Sequence, residues 1–184
     1  MDTLEIRLRD QVTLTVPRRL DSITTYVLLE QETWFEKELG FLSRWLKPGM
    51  TAIDIGANLG VYSLPMARLV GPEGRVFAYE PGSETRRLLS RTRAANAAAN
   101  LEILGFALSD REREGRLVFG PSSELNALGE AGDGEAVHIT SLDREDASRG
   151  WRSPDFASLR PGYDPRIGVR DRTELAICNE HPCA

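Results

Sequence analysis

The stretch Thr51-Ala-Ile-Asp-Ile-Gly-Ala-Asn-Leu-Gly60 decides how the rest of the chain is read. Its first half is apolar and β-branched at Thr51, Ile53 and Ile55, which is strand composition. At Gly56 it breaks into a turn, and helix-like spacing follows from Val61 to Val70. A strand feeding a tight turn and then a helix is how α/β proteins present backbone N–H groups to a nucleotide-like ligand. Gly56 permits the sharp exit from the strand. Asn58 is a residue type that tolerates positive φ, and Gly60 lets the new helix sit close to the strand. Asp54 is placed to receive turn N–H groups or a ligand's ammonium group, and an ordinary structural aspartate reads the same way.

About twenty residues further on, the apolar run Val76-Phe-Ala-Tyr79 ends in Glu80-Pro81. A carboxylate at the tip of a second strand is placed to accept hydrogen bonds from a ribose diol. Between the two strands, Gly71-Pro-Glu-Gly74 is turn chemistry. Pro65 lies beyond the first turn of a helix starting at Gly60, so a kink or a late helix start is expected. The segment from Glu84 to about Asn96 reads as a helix, with Leu88-Leu89 as its apolar stripe and alanines favouring it by propensity. Asn96 and Asn100 read as C-terminal punctuation. Its arginines, Arg86, Arg87, Arg91 and Arg93, read as a solvated face. Leu101 to Leu108 is a third apolar run. Strand, helix, strand, helix, strand describes a parallel sheet with right-handed crossovers.

Working outward, Leu4, Ile6, Leu8 and then Val12, Leu14, Val16 alternate with polar residues around a short break, which predicts a β-hairpin acting as a lid or edge. From about Thr33 to Lys47, Phe35, Leu39, Leu42 and Leu46 fall at helical spacing, with Trp34, Phe41 and Trp45 read as core. Pro48-Gly49 stops this helix. Beyond the third strand, Gly115–Phe119 and Ala136–Thr140 read as an antiparallel pair, with a loop rich in Gly, Ser and Glu between them. His138 lies in an alternating strand and reads as structural.

The bulk numbers suit one globular domain: 184 residues, 41% hydrophobic and 28% charged, with a net charge of −5 that argues against a nucleic-acid partner. No apolar run approaches the ~20 residues that span a bilayer. The N-terminus is not a signal peptide, so no membrane association and a cytoplasmic location are expected. Cys178, His181 and Cys183 supply three candidate zinc ligands where structural sites use four, and no metal is expected.

In combination, several blocks resemble the FkbM-type branch of S-adenosylmethionine-dependent methyltransferases: Lys47-Pro-Gly-Met50, Asp54-Ile-Gly-Ala-Asn-Leu-Gly-Val-Tyr62, Val76-Phe-Ala-Tyr-Glu-Pro81, Asn96 with Asn100, Ala107-Leu-Ser-Asp110 and Ser141-Leu-Asp143. The resemblance covers roughly residues 30–156. It implies an α/β, Rossmann-like methyltransferase sheet, mostly parallel with helices on both faces, and S-adenosylmethionine as cofactor. It also implies methyl transfer to an oxygen of a small molecule or sugar. By the same resemblance Asp54, Gly56, Asn58 and Gly60, with Ala57 among them, hold the methionine end. Glu80, followed by Pro81, holds the ribose hydroxyls, Ala107 and Leu108 border the adenine, and Glu36 reaches the cofactor's amino group. No catalytic residue is singled out, because the sulfonium already activates the methyl group and the protein mainly aligns the acceptor.

Family members follow a Pro-Asp-Phe like Pro154-Asp-Phe156 with a strand Lys-x-Asp-x-Glu-Gly; here Ala157-Ser-Leu-Arg-Pro-Gly162 stands instead. The chain therefore reads as an N-terminal hairpin extension (1–29), a Rossmann-like domain (30–156) and an irregular tail (157–184), truncated relative to the family. Two origins fit: a natural short form that covers the exposed sheet with another chain or its own tail, or a disrupted C-terminus, and the alternative function is a non-catalytic remnant that at most binds cofactor. Either leaves a parallel strand as an exposed edge, a route to a homo-oligomer. A nicotinamide oxidoreductase is disfavoured, since Asn58 and Val61 stand at the second and third positions of Gly-x-Gly-x-x-Gly.

Overall fold

The computed structural model describes residues 2–34, 38–129, 132–141, 167–170 and 174–178. The alternating N-terminal segment forms the hairpin β1 (Thr3–Arg7) and β2 (Thr13–Pro17), with Leu4 opposite Val16 and Ile6 opposite Leu14. Next come α1 (Ile23–Gln31), α2 (Glu38–Trp45), β3 (Thr51–Ile55), α3 (Ser63–Val70), β4 (Arg75–Tyr79), α4 (Ser83–Ala95) and β5 (Leu101–Leu104). A second group of strands follows: β6 (Ala107–Leu108), β7 (Arg113–Val118), β8 (Ala127–Gly129) and β9 (Gly134–Thr140). Near the end of the chain lie β10 (Ile167–Arg170) and β11 (Glu174–Cys178).

The main sheet runs β10-β11-β3-β4-β5, with β11, β3, β4 and β5 parallel and β10 antiparallel to β11. This is a Rossmann-like α/β sheet. From β3 the chain steps outward through β4 to β5, while β11 lies on β3's other side, so the strand order reverses at β3. Ligands of open α/β sheets bind outside the carboxyl ends of the strands at such a reversal. The second sheet, β6-β9-β7-β8, pairs β7 with β9 in antiparallel register as expected.

Alternation along the strands makes two buried clusters. Ala52, Val76, Ala78 and Leu101 face Leu64, Met66, Ala67 and Val70 of α3, Leu88 and Leu89 of α4, and Leu42 of α2. Ile53, Phe77, Tyr79 and Leu104 form the cluster on the opposite face, joined by Phe106 and Leu108. Helices are expected on both faces; among the described residues, α3 and α4 contact the sheet on the first face.

The hairpin differs from the expected lid or edge. Val12, Leu14 and Val16 are wholly buried in the same cluster as α3 and α4. The outer edge of β2 is closed by α4 and its C-cap: the Thr15 N–H donates to Thr92 Oγ1, and the capping Asn96 accepts from the Thr13 N–H at 2.9 Å and donates back to its carbonyl at 2.6 Å. A helix presenting Thr and Asn thus replaces a third strand.

Four further differences have local causes. The region before Thr33 contains α1, capped by Ser22, whose hydroxyl oxygen accepts from the Thr25 N–H. The helix expected over 33–47 is α2 at Glu38–Trp45; Trp45 stacks on Phe41 and is 41% exposed, not core. The run Leu101–Leu108 splits at Gly105, where a Cβ would lie 3.0 Å from the Arg86 guanidinium carbon, and its two halves join different sheets. The tail expected to be irregular contains β10 and β11, and β11 pairs with β3, so the chain's own tail covers the sheet there, one of the two covers expected for a short form. Pro65 is accommodated as foreseen: α3 starts at Ser63, which puts the proline in the first turn, where an intrahelical N–H is dispensable. Among the described residues no helix is long and apolar enough to cross a membrane.

Candidate cofactor site

The turn after β3 and the tip of β4 form one hydrogen-bonded unit. Gly56 (φ 73°), Asn58 (φ 47°) and Gly60 (φ 94°) all adopt left-handed backbone. This folds the turn back so that the N–H groups of Gly56 and Ala57 both donate to the Tyr79 carbonyl, at 3.0 and 2.9 Å. The next N–H, of Asn58, donates to Glu80 Oε2 at 2.8 Å, and Glu80 Oε1 accepts from the Gly82 N–H at 2.8 Å. Glu80 is 6% exposed. An ionised carboxylate offers about four acceptor sites, so holding two N–H groups is compatible with receiving ribose hydroxyls as well.

The glycines serve this geometry differently from the expectation. The N–H groups of Gly56, Ala57 and Gly60 are spent inside the protein, that of Gly60 on the Ala57 carbonyl. A Cβ on Gly60 would lie 2.7 Å from Leu89 Cδ1 and 2.8 Å from Leu64 Cδ2, so the close approach it permits is to the side chains of α4 and α3. Asp54 is fully buried, and its Oδ2 accepts from the Ser63 hydroxyl at 2.5 Å, tying β3 to the first turn of α3. Ala107 and Leu108 form β6, directly beyond the carboxyl end of β5, with Leu108 packed in the Tyr79 cluster. Pro81 is positioned through its carbonyl, described below. Glu36 lies outside the described residues, as do His181 and Cys183; Cys178 falls in β11.

Two groups that the sequence reading missed support this unit. Arg86, expected on a solvated face, is half-buried, and its Nη1 donates to the carbonyls of Glu80 and Pro81 at 3.0 and 2.7 Å. The signal was available in its position one turn into the helix that follows Glu80, but helical spacing alone does not distinguish it from Arg87 or Arg91. The second group is the 3-10 turn Ser123–Leu125 between β7 and β8. Ser123 Oγ donates to Asn58 Oδ1 at 3.2 Å, and Glu124 Oε1 accepts from the Ser22 hydroxyl and the Thr24 N–H at 3.1 and 2.9 Å. Burial raises the Glu124 pKa, but the nearby Ser122 hydroxyl, which makes no well-formed hydrogen bond, and the Thr24 contacts more than offset it, leaving the carboxyl below its ordinary range. His138 is engaged within the second sheet by Glu114 at 3.0 Å and Glu112 at 3.4 Å.

A cavity of about 770 Å³ opens near Gly74, Arg75 and Leu101, at the amino ends of β4 and β5 and away from this unit. Another, about 250 Å³, is lined by Gly82, Ser83, Ser122, Ser123, Asn126 and Glu135 among others, and so adjoins it. Glu135 closes the start of α4 there, accepting from the Ser83 N–H and hydroxyl at 2.6 and 2.5 Å.

The sheet order defines a Rossmann-like domain, and the left-handed turn and the acidic strand tip form a candidate site at the carboxyl ends of β3 and β4. No protein-family model matches the chain. By sequence it is similar to the AMB antimetabolite synthetase AmbE of Pseudomonas aeruginosa, at 36% identity over 89 residues, which are 48% of this chain and 4% of that protein. It is also similar to a protein-L-isoaspartate O-methyltransferase of Triticum aestivum, at 33% identity over 90 residues, 49% of this chain and 39% of that one. The chain thus spans well under half the length of these curated relatives. Among solved structures it overlaps a SAM-dependent methyltransferase from Aquifex aeolicus, at 24% identity over 51% of this chain and 52% of that one, with a TM-score of 0.32. That overlap is partial, and the fold stands on the strand pairing itself.

Proposed function

We propose that this chain is an S-adenosylmethionine-dependent methyltransferase domain of the FkbM type that methylates an oxygen of a small molecule or sugar. The observation that carries the reading is the bond from the Asn58 N–H to Glu80 Oε2. It joins the glycine turn and the acidic strand tip, the two blocks on which the resemblance rests, into one site at the sheet's reversal point. The sequence similarity to an O-methyltransferase supports the same activity.

The residues present fit the cofactor. Glu80 supplies a buried, ionisable acceptor for a ribose diol, and the left-handed turn at Gly56 and Asn58 lies beside it at the carboxyl end of β3. When bound, the sulfonium supplies an already activated methyl group. The chain's own residues bind, orient and exclude water; a base is required only if the acceptor must lose a proton.

Calorimetric titration of the whole chain with S-adenosylhomocysteine, alongside Glu80→Gln, tests the reading. Micromolar binding that weakens at least tenfold in the variant supports it. A folded protein that binds nothing would overturn it. Binding without methylation of any hydroxylated acceptor would instead establish a cofactor-binding remnant.

A further inference from the structure

Asn58 is the one residue of the glycine turn whose side chain is polar, and its amide is held from outside the turn. Its Oδ1 accepts from the Ser123 hydroxyl at 3.2 Å, while its own N–H is taken by Glu80. With Oδ1 on the Ser123 hydroxyl, which holds the amide in place although it could itself donate or accept, the NH2 group faces away as a donor for whatever lies beside the turn. Asn58 also carries a left-handed φ of 47°, a backbone state that Asn tolerates better than most non-glycine residues and that its surroundings hold.

Ser123 is itself held in place. The Leu125 N–H donates to the Ser122 carbonyl at 3.0 Å, and the Gly120 N–H to Asn126 Oδ1 at 3.0 Å, closing the turn on itself. Arg19 Nη2 donates to the Pro121 carbonyl at 3.2 Å. Glu124 receives the Ser22 hydroxyl and the Thr24 N–H at the start of α1. The turn is therefore braced against the N-terminal segment and reaches the glycine turn through the Ser123 hydroxyl.

We propose that Ser123 is a positioning residue for the cofactor: it orients the Asn58 amide so that its NH2 donates to an acceptor oxygen of the bound cofactor, and Glu124 holds Ser123 at that distance. This rests on the cofactor reading above and adds to it a contribution from the second sheet, which carries none of the residues expected to hold the methionine end or the ribose.

The test compares wild type, Ser123→Ala, Ser123→Thr and Asn58→Asp by calorimetric titration with S-adenosylhomocysteine, together with amide exchange of residues 56–60 in the ligand-free protein. Losing one neutral hydrogen bond predicts about 3- to 10-fold weaker binding for Ser123→Ala. Threonine, which keeps the hydroxyl, restores affinity to within about twofold. Asn58→Asp keeps an acceptor for Ser123 but has no donor, and weakens binding further than Ser123→Ala. Exchange at Asn58 accelerates in Ser123→Ala and not in Ser123→Thr. Unchanged affinity and unchanged exchange in Ser123→Ala overturn the proposal while leaving the cofactor reading intact. If wild type binds no S-adenosylhomocysteine, the cofactor reading and the cofactor role of Ser123 both fall, and the exchange data report only the contact with Asn58.

Discussion

The backbone N–H of Asn58 and the carboxylate of Glu80, 22 positions apart in the chain, meet at 2.8 Å. The glycine turn and the tip of the neighbouring strand are thereby one object: moving Glu80 moves the turn. Both Glu80 oxygens hold backbone N–H groups, so its carboxylate is a structural element of the turn.

The same tip is held from behind by Arg86. In Arg86→Ala the carbonyls of Glu80 and Pro81 lose a charged donor, an interaction of about 1.5–3 kcal/mol. S-adenosylhomocysteine affinity should fall at least fivefold, an order-of-magnitude expectation from the same range. Arg86→Lys should restore little, since an ammonium on a flexible stem does not reproduce the planar fork. Equal affinity of all three proteins would show that the tip is rigid without Arg86.

Gly60→Ala meets two obstacles, a φ of 94° and contacts under 3 Å to Leu89 and Leu64. Overpacking of this kind costs about 1–3 kcal/mol, to which the left-handed backbone adds. Urea denaturation should show the lower midpoint with an unchanged slope.

Asn96→Ala removes the paired bonds that close the edge of β2. Leaving the partly buried Thr13 N–H without its acceptor costs about 1–3 kcal/mol. The expected signature is faster amide exchange at Thr13, with exchange in β4 unaffected until global unfolding. Protection at Thr13 equal to wild type would show that another acceptor takes over.

Glu124 makes stability depend on pH. Its native pKa lies below the ordinary 4.5, so the unfolded state binds the proton more readily. The stabilisation is fully present above about pH 4.5 and is lost as pH falls through the lower native value. Glu124→Gln should therefore melt below wild type at pH 6, and the gap should narrow towards pH 3. A gap independent of pH would mean that the carboxylate charge contributes nothing to docking the turn on α1.

Much of this site was legible in one dimension because its parts are local. A β-branched run breaking at Gly56 specifies a strand and a left-handed turn by sterics alone, and Val76–Tyr79 ending in Glu80 needs only strand periodicity. Asn96 and Asn100 were recognisable as punctuation, yet their partners were not. Asn100 caps the end of α3, donating to the carbonyls of Ala67 and Gly71 at 2.8 Å each, and Asn96 reaches back to β2. Arg86 and Glu124 were the least legible: each sits in a segment whose spacing fits a solvated surface, and its role depends on what the fold brings against it.

The sequence by itself determined the order of strands, turns and helices from Thr51 to Leu104, and the residue types at the strand ends, since propensity, periodicity and φ preferences act over a few residues. The tertiary structure decided which hydrogen-bonding groups are spent and on what. It turned the Gly56 and Ala57 N–H groups onto Tyr79, used Gly60 to admit Leu89, split the third apolar run at Gly105 and set Ser123 against Asn58. Those outcomes depend on distances between segments 19 to 65 residues apart in the chain, and only burial of the shared core, which fixes the relative placement of sheet, hairpin and helices, sets such distances.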